Sequence, residues 1–204
     1  MVSLIEKLVG ATVAAAGRAL GAVQTALGVQ AKARTLTDAE AEILRRVYRG
    51  ALDLAPIRIV EGRPGLFALG RRPFTLGNLI YLNGLDPARS TDVLVHEACH
   101  VRQYQHDGTR YIGGSLLAQL IRGARAYDWR SERRSGKAWR AFGPEAQAQL
   151  IQDLFRQGHR GSETGRGAFF GDEPLGDDVA FADANEDLTA FARQSVEDAR
   201  RERS

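Results

Sequence analysis

Apolar residues recur along the chain with two different periods, and the changes of period mark the elements. Between residues 37 and 52, Ile43, Leu44, Val47 and Leu52 fall at the spacing of one helix face. Thr37 opens that segment as a cap, and Glu40 three residues later can reciprocate as a capping box. Pro56 permits a strand in "IRIVEG" (57–62), with Ile57, Ile59 and Glu61 on one face. The stretch "RPGLFALGRRPFTLGN" (63–78) is interrupted by Gly and Pro and reads as loops around short strands. "NLIYLNG" (78–84) predicts a second strand, closed by the turn pair Asn83-Gly84. A helix is expected over 91–106, after Asp86-Pro87 and Ser90, and Gly108-Thr109 breaks it. A further helix is expected over "YIGGSLLAQLIRGARAY" (111–127), weakened by Gly113 and Gly114. A polar segment, 128–142, carries Trp129 and Trp139. Pro144 then sits at the first position of "EAQAQLIQDLFRQG", whose buried side is Leu150, Ile151, Leu154 and Phe155. Residues 158–180 are rich in Gly and charge and read as a linker or mobile loop. A modestly amphipathic helix over 182–201 ends the pattern. This order predicts an α+β fold, mostly helical, with a small β-sheet.

The most apolar segment, 4–30, is Ala/Gly-rich and interrupted by Glu6, Lys7 and Arg18. Its uncharged runs fall short of the ~18–20 residues that cross a bilayer. Glu6 also stands where a signal peptide is cationic. No signal peptide or transmembrane span is expected. The segment reads as a helix that packs against its own domain, a partner or a membrane surface, with Gly17 and Gly21 four apart. Three regions follow: an apolar N-terminal helix (1–34), a domain (35–157), and a linker with a C-terminal helix (158–204).

Charge changes this picture only slightly. The formal net charge is +3, too small and too dispersed for a nucleic-acid surface. The basic excess lies in 102–166 and the acidic one in 172–198, so the tail could fold back over the basic region or over the site. One cysteine, Cys99, forms no internal disulfide.

The candidate chemistry lies in "LVHEACHVRQYQH" (94–106), which holds three of the four histidines. His96 and His100 are one helical turn apart, about 40° around the axis and about 6 Å along it. Two imidazoles so placed can hold one metal ion. Glu97 projects about 100° around from His96, where its carboxylate can reach a water on the metal without ligating it. This is the H-E-x-x-H arrangement of zinc hydrolases, with Zn2+ as cofactor and Glu97 as general base. Cys99 points away and reads as a small core residue.

Two histidines leave zinc short of a third protein ligand. His106 has metzincin spacing, but Gln103 replaces the glycine that turns the chain back, and a continuous helix would place His106 about 15 Å away. Glu145 is favoured. It lies in the first turn of a later helix, where the helix dipole suits a carboxylate, and Ala146 and Ala148 beside it allow close packing. A glutamate on a later helix is the gluzincin solution. Asp128, Glu132 and His159 are alternatives. Tyr127, with Tyr111 behind it, is the candidate oxyanion donor.

The run "FTLGNLIYLNG…VLVHEACHVRQYQ…YDW…WRAFGPEAQAQLIQDLF" resembles the zincin-like domain of bacterial Vgr-related proteins and of the extracellular contractile injection system core. The likeness covers roughly residues 35–157 and includes Gln103 and Gln105. It implies a zincin-like metallopeptidase domain in which His96, His100 and Glu145 bind zinc and Glu97 is the base. It also implies a polypeptide substrate, and a place in the bacterial cytoplasm or export through a secretion system. A substrate strand is expected beside "NLIYLN". The alternative is an inactive, zinc-stabilised component of a secretion or contractile injection system; residues 1–30 lie outside the likeness, and their apolar helix reads by itself as built for docking to a partner or, in a toxin or effector, for meeting a membrane.

Overall fold

Thr37 caps its helix. Its side chain accepts from the Glu40 amide and the Glu40 carboxylate accepts from the Thr37 amide, closing the capping box over Asp38–Tyr48 (α2). The computed structural model describes residues 2–28, 30–62, 72–108, 123–157, 168–171 and 179–201. The other helices are α1 (Val2–Ala26), α3 (Thr91–Asp107), α4 (Trp129–Arg134), α5 (Pro144–Gln157) and α6 (Thr189–Arg200). Strands β1 (Arg58–Val60), β2 (Phe74–Leu76) and β3 (Leu79–Tyr81) form one sheet in the order β1-β3-β2. A small hairpin, β4 (Ala182–Asp183) with β5 (Glu186–Asp187), precedes α6. The fold is α+β and mostly helical, as the periodicity predicts.

β3 is the central strand, parallel to β1 and antiparallel to β2. β2 and β3 join through Gly77-Asn78, where Gly77 has φ +66 at the first central position, which suits a glycine turn. The strands are short, yet both faces are covered. Ile59 and Ile80 point into the main helical core. Val60, Leu76 and Tyr81 point the other way, onto Ala14 of α1. The N-terminal helix therefore packs on its own domain. A Cβ placed on Gly17 would lie 2.4 Å from Leu76 Cδ2, so glycine is what lets α1 approach the sheet so closely. The outer face of α1 still exposes Leu4, Leu8, Val9, Leu20 and Val23, and Leu27 just past its end is exposed too. Among the described residues no helix is long and apolar enough to cross a membrane.

α3 runs through the middle of the molecule. Every residue from Leu94 to Gln103 is buried, so the helix has no solvent face and little amphipathic contrast. α5 lies along it, with Ala146 and Ala148 fully buried between the two helices' neighbourhoods. The polar stretch 128–142 hides two core residues. Trp129 and Trp139 are buried, and their indoles donate to Asp153 Oδ2 (2.8 Å) and to the Gln147 carbonyl (3.2 Å).

The tail departs from expectation. Phe169 and Phe170, inside the stretch expected to be a linker, are fully buried, and so is Phe181. Leu188, Ala192, Val196 and Ala199 join the same core. The expected helix over 182–201 begins only at Thr189, because β4 and β5 occupy its first residues. The acidic tail does find basic partners: Asp183 pairs with Arg130, and Glu186 with Arg133, both on α4. The helix expected over 111–127 falls outside the described residues up to 122, and Gly123–Tyr127 form a 3-10 turn.

Candidate metal centre

α3 carries His96 and His100 one turn apart, and α5 brings Glu145 to meet them from its first turn. His100 Nε2 lies 3.2 Å from Glu145 Oε2, and His96 Nε2 lies 3.6 Å from the same oxygen. The ring planes are nearly perpendicular, at 81°, with centroids 4.9 Å apart. One ligand atom from each of the three residues falls within 4.8 Å of the other two. All three side chains are buried; Glu145 is 2% exposed.

The electrostatics of this trio follow from its crowding. Burial alone would lower the His100 pKa, but the Glu145 carboxylate raises it to about 9. Burial likewise opposes ionisation of Glu145, yet His100 and His96 more than offset it and hold that carboxyl well below the usual range. A buried carboxylate flanked by two imidazole Nε2 atoms is a donor set of two nitrogens and one oxygen. That set, with both rings turned edge-in to one point, fits a divalent cation of the zinc class.

Glu97 is also buried and stands outside the trio. The Thr75 hydroxyl lies 2.9 Å from Glu97 Oε2 and 3.1 Å from the Glu97 carbonyl, so one donor on β2 orients the carboxylate and its own turn of helix. Strand alternation explains Thr75: Phe74 and Leu76 face α1, and Thr75 faces α3.

Tyr127 is half-buried, its ring 6.1 Å from that of His96 and inclined by 23°. Burial, and then the Glu145 carboxylate its phenol bonds, push its pKa up to about 12. The remaining candidates stay out of the cluster. His106 Nε2 pairs with the Ala51 carbonyl at 2.9 Å, because α3 continues past Gln103 instead of turning. Asp128 caps α4 by accepting from the Ser131 amide at 3.2 Å. Glu132 pairs with Lys137. Cys99 faces the core beside Tyr48, and burial raises its thiol to about 12. His159 and Tyr111 lie outside the described residues.

Two residues escaped the sequence reading. Thr75 sat in a stretch read as loops around short strands, with no face assigned to it. Gln103 was read as the absence of a glycine and as part of the likeness, with no contact assigned to it. It contacts His100 Nδ1 at 2.8 Å. The expected docking strand is also corrected: β3 is paired on both edges, so an added strand cannot lie beside it. β2 has the sheet edge left open among the described residues, since β1 is bridged by Arg34. No family model, curated protein or solved structure matches the chain.

Proposed function

We propose that this chain is a zinc-dependent metallopeptidase of the gluzincin type. One observation carries the reading: two histidine nitrogens and a carboxylate oxygen converge within 4.8 Å, with a second buried acid, Glu97, held beside them and outside the set. His96, His100 and Glu145 would hold the ion. Bound zinc supplies Lewis acidity and brings the pKa of a water it holds to about 7. Glu97 then takes one proton from the attacking water as the oxygen bonds to the scissile carbonyl carbon. It passes that proton to the amide nitrogen as the C–N bond breaks, leaving a carboxylic acid and an amine. Tyr127 contributes a phenol donor to the oxyanion. The substrate is a polypeptide laid along β2, the open edge nearest Glu97 through Thr75.

The test separates binding from chemistry. Elemental analysis is expected to find one zinc per wild-type chain, and Glu145→Ala to lose it. Glu97→Gln is expected to keep the metal and lower peptide hydrolysis by about 10²–10⁴-fold. A variant as active as wild type on every substrate found removes Glu97 from the mechanism.

The exposed apolar face of α1 favours a second reading, a zinc-stabilised module that docks within a secretion or contractile injection system without cutting anything. A mass-spectrometric search for new termini in a digested proteome decides between the two.

A further inference from the structure

Gln103 lies one turn beyond His100 and is buried. Its amide touches three groups: His100 Nδ1 at 2.8 Å through Oε1, and the Pro144 carbonyl at 3.0 Å and Gln147 Oε1 at 2.8 Å through Nε2. The direction of every bond in this chain follows from backbone carbonyls, which can only accept. Gln147 Nε2 donates to the Trp139 and Arg140 carbonyls at 3.1 and 3.2 Å, so Gln147 Oε1 is left to accept. Gln103 Nε2 must then be the donor to Gln147 and to Pro144, and Gln103 Oε1 must face His100. A carboxamide oxygen cannot donate, so His100 Nδ1 carries the proton. The lone pair of the neutral ring is thereby left on Nε2, the atom beside Glu145.

The same amide joins the two elements that bring the trio together. His100 belongs to α3, and Pro144 immediately precedes Glu145 on α5. His96 has no equivalent: its Nδ1 is buried and meets no hydrogen-bond partner among the described residues. A hydrogen bond therefore fixes the Nδ1 side of one histidine, and none does so for the other.

We infer that Gln103 is a positioning residue for the metal centre. It holds His100 as an Nε2 ligand, which governs zinc affinity, and it ties α3 to the Glu145 end of α5, which adds to the stability of the fold. The inference rests on the reading of His96, His100 and Glu145 as a metal site, and deepens it. It gives position 103 a role that a glycine there could not fill.

The experiment measures zinc affinity by competition with a chromogenic chelator, alongside thermal melts, on the full-length chain. Gln103→Met keeps the length and removes every hydrogen bond. It is expected to bind zinc ten- to about a hundredfold more weakly than wild type while still melting cooperatively. Gln103→Glu keeps an acceptor for His100 and surrenders both donors to α5. It is expected to melt at a lower temperature and yet bind zinc more tightly than Gln103→Met, within about threefold of wild type. A merely structural glutamine would move melting and affinity together.

Zinc affinity within twofold of wild type in Gln103→Met overturns the inference, and so does a Gln103→Glu variant as weak as Gln103→Met. If neither variant folds, long-range 1H–15N spectra of zinc-loaded wild type decide. A proton on His100 Nδ1 supports the role, and a proton on Nε2 overturns it. Wild type that takes up no zinc overturns the metal reading and this inference together. Wild type that binds zinc, with Gln103→Met unchanged, overturns this inference alone.

Discussion

Cys99 and His100 are neighbours in sequence and opposites in function. The 100° step of the helix turns the thiol into the core, where burial pushes it up to about 12, and turns the imidazole toward Glu145. For His100 the same crowding makes stability depend on pH. In the metal-free fold its pKa rises from 6.5 to about 9, despite burial, because Glu145 favours the cation. A raised pKa of this kind contributes fully below the unfolded value and is lost as pH rises through the folded one. Glu145, held low, contributes above its unfolded 4.5 and loses that contribution as pH falls. Chelated protein is therefore expected to melt at a higher temperature near pH 6 than near about pH 9.5. Zinc must displace the proton, so the stabilisation it adds is expected to be greater at the higher pH. Thermal melts at both pH values, with zinc and with chelator, check this; parallel shifts would mean that His100 and Glu145 do not share a proton-linked site. The spacing of His96, Glu97 and His100 was legible because a helix converts i, i+1 and i+4 into fixed angles. Glu145 was legible more weakly, as a carboxylate in a first helical turn. Thr75 and Gln103 were not, since each acts on a residue in space and neither residue type announces a partner.

At the scale of elements, α3 and β2 illustrate what a period can and cannot reveal. α3 was found from its flanking turn residues and its motif, and its weak amphipathic contrast is now explained by burial on all sides. Strands of three residues are too short to establish an alternation, so short strands were expected within 63–78 but neither β2's position nor its place at the open sheet edge could be read. α1 was recognised as a packing helix, but its target was unknown. The contact depends on Gly17 meeting Leu76. Gly17→Leu is expected to cost about 1–3 kcal/mol by overpacking that seam, read from urea denaturation. Gly17→Ala should be close to neutral, because the gain in helix propensity, about 1 kcal/mol, works against displacement of one flexible leucine methyl. A Gly17→Leu protein as stable as wild type would place α1 elsewhere. Gln105, also in the motif run, clamps the adjoining loop by donating to the Asp53 carbonyl at 2.8 Å and accepting from its amide at 2.9 Å.

In the whole molecule, the tail belongs to the core. Arg130 and Arg133 attract Asp183 and Glu186 to α4, and Trp129 packs on Phe181 and Phe191 behind them. Cutting the chain after 157 would thus remove Phe169, Phe170 and Phe181 from a common interior. Three buried phenylalanines contribute about 5–9 kcal/mol, the size of a whole domain's net stability. A 1–157 fragment is expected to lose its cooperative melt by circular dichroism; a fragment that melts like the full chain would show that the tail is dispensable. The sequence by itself determined the mostly helical α+β class, the capped α2, the motif helix and its pair of imidazoles, because these follow from periods and caps a few residues long. Only the tertiary structure decided that Glu145 meets them, that Thr75 and Gln103 orient Glu97 and His100, that β3 is interior, and that a Gly-rich tail buries three aromatic rings. All but one of those outcomes depend on contacts between residues far apart in the chain, which leave no local period to read; Gln103 is one turn from His100, but its amide is aimed by Pro144 and Gln147 on α5.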